Sequence, residues 1–154
     1  MSSTLRHATT VSRYLLGLIF FVFGLNGFLH FLPTPPIPGE AGAFIGALIA
    51  SGFLMPVVKL VETTAGALLL ANRFVPLSLA LLAPIVVAIN GFHIALAPAG
   101  GGVAYLSLVL ELFLAFRYRD AFKPMLKARV SAVRADDAID QASLRAPGHS
   151  AAHA

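Results

Sequence analysis

The chain contains no cysteine. Within this sequence that absence excludes disulfides, thiolate-bound zinc, iron–sulfur ligation and thiol exchange. Charge is nearly as scarce. Only 12% of the 154 residues are charged, about half the roughly 25% of a soluble domain. Most of the Lys and Arg lie before Tyr14 or after Glu111. Nucleic-acid binding is not expected, because no basic groove or aromatic-plus-basic stripe occurs. A basic end beside apolar sequence reads instead as attraction to anionic lipid headgroups. No flavin or nicotinamide fingerprint, HExxH or CxxCH is present, so no motif encodes a redox centre or a metal site. What remains is hydrocarbon. The chain is 58% hydrophobic, with a mean hydropathy of +0.84, and its expected partner is a lipid bilayer.

A helix that crosses a bilayer needs about 20 mostly apolar residues. Four segments meet or approach that length: about 12–31, 54–72, 75–96 and 103–118. The first is long and aromatic and no small-x-small site follows it, so it reads as an uncleaved span. Pro33, Pro35, Pro36 and Pro38 then impose a stiff, extended connection. The stretch from Glu40 to Gly52 is helical in pattern but too short to cross, and reads as an interfacial or re-entrant helix. Pro76 falls in the first turn of the third span and Pro84 in its middle, where a kink is expected. Ala97 to Gly102 is a turn.

Arg6 and Arg13 precede the first span, Arg73 separates the second from the third, and Arg117, Arg119, Lys123 and Lys127 follow the fourth. The other two connections carry no Lys or Arg. The positive-inside rule then places both termini in the cytoplasm. The expected fold is all-α: an integral membrane four-helix antiparallel bundle with a short interfacial helix between the first and second spans. Residues 1–11 form a cytoplasmic N-terminal segment, 12–126 the membrane domain and 127–154 a flexible tail. His149 and His153, in that tail, read as solvated residues rather than ligands.

Polar groups interrupt every span: Asn26 and His30, Lys59 and Glu62, Asn90 and His93, and Glu111. A charged group at membrane depth costs roughly 2.5–3.5 kcal/mol on insertion scales, so it needs a partner or a role. Alternating chain direction gathers these positions into one layer in the outer half of the bilayer. Small residues, Gly17, Gly24, Ala65, Gly66 and Ala83, let the helices approach. Lys59 either snorkels to the headgroups or pairs with Glu62 three residues on. Glu62 and Glu111 have nowhere to snorkel, and are matched by a cation or sit protonated. Asn26 and Asn90 suit interhelical hydrogen bonds. His30 and His93 with the two glutamates would be a sensible metal or haem set, but lack a tight motif. Such a layer makes a ligand or proton site. The twelve phenylalanines read as packing or lipid-facing groups, with Phe28 and Phe92 as candidates for stacking on a quinone.

With RYLLGLIFFVFGLNGFLHF, VKLVETTAGALLLANRFVPL, PIVVAINGFH and LVLELFLAFRYRDAF in view, the chain resembles the DoxX-like family of small four-span bacterial membrane proteins over about 13–125. Glu62 of VETTAG and the Asn90–His93 pair match positions where that family tends to be polar. The resemblance implies an inner-membrane protein associated with thiosulfate oxidation to quinone or with oxidoreductase assemblies in oxidative-stress defence. Any electron transfer must then borrow a quinone, a haem or a redox partner subunit. The expectation is an accessory protein, not an enzyme by itself, that binds a quinone or lipid-like ligand. Its rivals are a small proton-coupled carrier and a purely structural subunit.

Overall fold

A computed structural model describes residues 3–33 and 36–129. All regular structure among them is helical: α1 (Ser3–Leu29), α2 (Gly39–Ala50), α3 (Leu54–Leu70), α4 (Val75–Ala95), α5 (Gly102–Arg117) and the single turn α6 (Arg119–Phe122), with 3₁₀ turns at Pro98–Gly100 and Lys123–Leu126. The chain divides into two units, Met1–Phe122 and Lys123–Ala154. Everything below concerns the first. The sequence-based expectations for the tail, including those for His149 and His153, fall on 130–154, outside the described residues.

Local chemistry sets the helix ends. Asn26 Oδ1 accepts the Leu32 N–H at 2.7 Å and the Asn26 carbonyl accepts the His30 N–H at 2.9 Å, closing α1 before Pro33. Proline lacks an N–H and cannot continue a helix. Gly52, at φ +74°, lets the chain turn sharply between α2 and α3. Pro56 and Pro76 fall in the first turns of α3 and α4, where the missing donor has no intrahelical partner to lose. α4 runs continuously through Pro84.

Helices α1, α3, α4 and α5 pack about one apolar core. α1 lies on α3 and α5, and α4 on the same two. The buried positions recur every three or four residues: Leu16, Gly17, Phe20 and Gly24 on α1; Glu62, Ala65, Gly66 and Leu69 on α3; Leu79, Leu82, Val86 and Asn90 on α4; Ser107, Glu111 and Leu114 on α5. That is one face of a 3.6-residue helix. Glu62, Asn90 and Glu111 therefore share the core face. The outer faces are also apolar: Leu18, Leu60, Val87, Ile94, Val109 and Leu112 are more than half exposed. Helices apolar all round suit a lipid surround.

α1 and α4 are each long and apolar enough to cross a membrane. α2 and α3 together pass the same test but are bent by 90° at their junction. α3 has 17 residues and α5 has 16. The described chain thus has two candidate spans, or three if the bent pair counts as one.

Two sequence expectations change. α1 begins at Ser3 rather than near Ser12, so Arg6 and Arg13 lie within a helix. Its polar first turns contain no breaker, and Thr9 and Thr10 turn their hydroxyls back onto the Leu5 and Arg6 carbonyls. Ala83 faces outward, whereas Gly17, Gly24 and Gly66, expected to let the helices approach, do so between α1 and α3. A Cβ on Gly66 would stand 2.4 Å from the Phe21 nitrogen, and one on Gly24 would stand 2.6 Å from the Thr63 nitrogen. These backbones are too close for any side chain larger than hydrogen.

Candidate functional site

The close α1–α3 contact shapes the polar site. Gly24 faces Glu62 and Thr63, and Gly27 faces the aliphatic stem of Lys59. The stem lies along α1 and the Lys59 ammonium turns to Glu62, with Nζ 2.7 Å from Oε2. The Glu62 side chain is 2% exposed and that of Lys59 22%, so the ion pair is anchored from inside the bundle. Thr63 Oγ1 donates to the Lys59 carbonyl at 2.7 Å. Removing one member of such a pair leaves a buried charge without its partner, and pairs of this kind weaken strongly when broken.

A cavity of about 280 Å³ opens over this pair. Ile19, Phe20 and Phe23 of α1, Ile89 of α4 and Val103 of α5 form its apolar walls. Lys59, Glu62, His93 and Ser107 supply its polar groups. His93 Nδ1 lies 3.0 Å from the Ala97 carbonyl. A carbonyl only accepts, so Nδ1 carries the proton and a neutral ring keeps Nε2 as an acceptor. The Ala104 carbonyl, at the cavity wall, accepts from Ser107 Oγ at 2.7 Å and from Asn90 Nδ2 at 3.0 Å. Asn90 Nδ2 also donates to the Val86 carbonyl of its own helix at 2.8 Å, and its bond to Ala104 ties α4 to α5 beside the cavity.

Two buried acceptors lack a partner among the described residues: Asn90 Oδ1 and Glu111 Oε2. Most buried polar groups are hydrogen-bonded, and an unsatisfied one costs about 1–3 kcal/mol. Glu111 lies one turn beyond Ser107 on the same face of α5. It is buried, though it does not line the cavity.

Lys59, Glu62 and His93 thus meet in one cavity, Asn90 braces its wall, and Glu111 is buried outside its lining. Asn26 and His30 do not join them. Asn26 caps the end of α1. His30 takes a left-handed conformation at φ +51°, leaves the helical phase and is exposed. No group of three or more His, Asp or Glu placed to hold a metal occurs among the described residues, so the two-histidine, two-carboxylate set is not assembled. Phe92 stacks on Phe44 of α2, with ring centroids 5.9 Å apart. Phe28 is exposed at the end of α1. Neither lines the cavity.

Gly24, Gly27 and Ser107 belong to the site without having been singled out as such. Gly24 reads in the sequence only as a packing residue, and Ser107 carries no signal there beyond standing one turn before Glu111. Comparison with protein-family models, with curated proteins and with solved structures gives no match.

Proposed function

We propose that this is a DoxX-like, four-span protein of the bacterial inner membrane with both termini cytoplasmic, and that it binds a quinone or similar lipid-like molecule as an accessory of a membrane redox system. On this reading α3 and α5 cross the bilayer beside α1 and α4, and α2 lies at the interface. The positive-inside pattern and the apolar outer faces support this topology. The redox association rests on the resemblance alone.

One observation carries the ligand assignment: a single cavity joins apolar walls from three helices to a short row of matched donors and acceptors. Ligand sites of this kind are mostly apolar with a few placed polar groups. An ammonium has three donors and Glu62 engages one, so Lys59 can also donate to a ligand carbonyl. His93 Nε2 can accept from a ligand hydroxyl. The same wall therefore suits both the carbonyl and the hydroxyl form of a quinone head, and the tail would follow the apolar side toward lipid.

The test is the thermal midpoint of purified protein titrated with a short-chain ubiquinone or menaquinone analogue. Wild type should be stabilised in a saturable way. Glu62→Gln, which frees the Lys59 ammonium from its anchor, and His93→Phe, which removes the acceptor, should each lose most of that stabilisation, with Kd raised about tenfold or more. A wild-type midpoint indifferent to every quinone, or variants that respond as wild type does, would overturn the assignment.

A further inference from the structure

A second, chemically different concavity lies toward the opposite end of the same helices. It measures about 500 Å³, and its lining includes Arg6, Thr9 and Arg13 of α1, Asn72 of the α3–α4 turn, and Arg117 and Tyr118 at the end of α5. We propose that this cleft binds a phosphate group, with the headgroup of an anionic phospholipid as its source in the membrane. The proposal does not depend on the quinone reading.

Three arginines line one space, and no lining residue is acidic. Arginine presents a planar fork of donors that matches phosphate oxygens. Each of the three reaches the cleft by a different local arrangement. Arg13 is 5% exposed, and its Nη1 donates to the carbonyls of Leu69 and, at 3.3 Å, Leu70. That bond fixes the guanidinium over the last turn of α3 and leaves its other nitrogens as donors. Arg117 Nε donates to Thr9 Oγ1 at 3.1 Å, which ties α5 to α1 across the cleft. Arg6 lies on the face of α1 that also carries Thr9, Thr10 and Arg13, is exposed, and makes no ion pair among the described residues. The result is a fixed positive floor, a second cation on the facing helix and a third at the rim. The cleft also sits where the apolar part of α1 gives way to its polar first turns, at the depth of headgroups on the proposed topology. Basic pockets between helices at that level are suited to phospholipid phosphates.

The experiment uses the full chain purified in a nonionic detergent. Its thermal midpoint is followed during separate titrations with short-chain phosphatidylglycerol, the matching phosphatidylcholine and inorganic phosphate. Phosphatidylglycerol should stabilise the protein saturably and at least tenfold more tightly than phosphatidylcholine. Arg6→Gln, at an exposed position that the fold does not need, should weaken binding about tenfold, and Arg6→Lys should recover part of the loss. Arg117→Gln should weaken it similarly. If inorganic phosphate displaces the lipid at comparable concentration, the cleft recognises the phosphate as such. If only the lipid binds, the headgroup is the specific ligand. The proposal fails if neither phosphatidylglycerol nor inorganic phosphate stabilises the protein, or if Arg6→Gln and Arg117→Gln both bind phosphatidylglycerol within twofold of wild type.

Discussion

Arg13 does more than its place in the sequence announces. Beside an apolar stretch, an arginine reads as a cytoplasmic flank. In the structure it is buried and closes the end of another helix. The last carbonyls of a helix have no intrahelical donor and carry the negative end of its dipole, and the Arg13 guanidinium meets two of them on α3. Its acceptors lie 56 and 57 residues away in the chain, and no local pattern announces a contact at that separation. Replacing it by leucine removes a charged donor from both carbonyls, of which Leu69 keeps the Asn72 N–H at 3.1 Å. Arg13→Leu should therefore lower stability by about 2–3 kcal/mol, measured by denaturation in detergent, with the quinone response of the surviving folded fraction unchanged. The Lys59–Glu62 pair was legible because its spacing of three is a local property of any helix. His30 was not, because one left-handed residue at a helix end moved it out of phase.

Among the helices, α1 and α3 form the tightest pair, and glycine is the reason. Gly17, Gly24 and Gly66 each face the opposing backbone or the first atoms of a side chain. The obstacle at Gly66 is the Phe21 backbone, which cannot swing aside. Gly66→Leu should therefore force the helices apart and cost about 3 kcal/mol or more, at the upper end of overpacking effects. It should also weaken ligand binding, since Glu62 stands one turn away. Gly91 is the control: a Cβ there meets nothing within 4 Å. Gly91→Ala should be neutral or stabilising by up to about 1 kcal/mol. Both are read as denaturation midpoints in the same detergent. The starts of α3, α4 and α5 could be read to within a residue, because prolines and a glycine-rich turn punctuate them. The start of α1 could not, because Thr, His and Arg neither favour nor forbid another turn strongly enough to mark a boundary.

For the molecule as a whole, the absence of cysteine becomes an experimental advantage. Single cysteines can be introduced without background and tested with an impermeant thiol reagent in intact cells. On the proposed topology Ile37→Cys and Pro98→Cys label from outside, whereas Asn72→Cys labels only after the membrane is opened. Labelling of Asn72→Cys from outside, or protection of both other positions, would reject the four-crossing arrangement. The helical content and the apolar faces followed from hydropathy and periodicity alone. The cavity did not, because it depends on which faces of four distant helices meet, and on the glycines that let α3 settle against α1.

The lengths of α3 and α5 carry a last consequence. At 1.5 Å per residue, 17 and 16 residues give rods of about 24–26 Å, whereas a typical hydrocarbon layer is about 30 Å thick. On the proposed topology, surrounding acyl chains must compress toward these two helices while meeting α1 and α4 at full height. Because α1 and α4 each pack against both short helices, such hydrophobic mismatch dimples the bilayer at two separate places around the bundle and draws the protein toward thinner lipid.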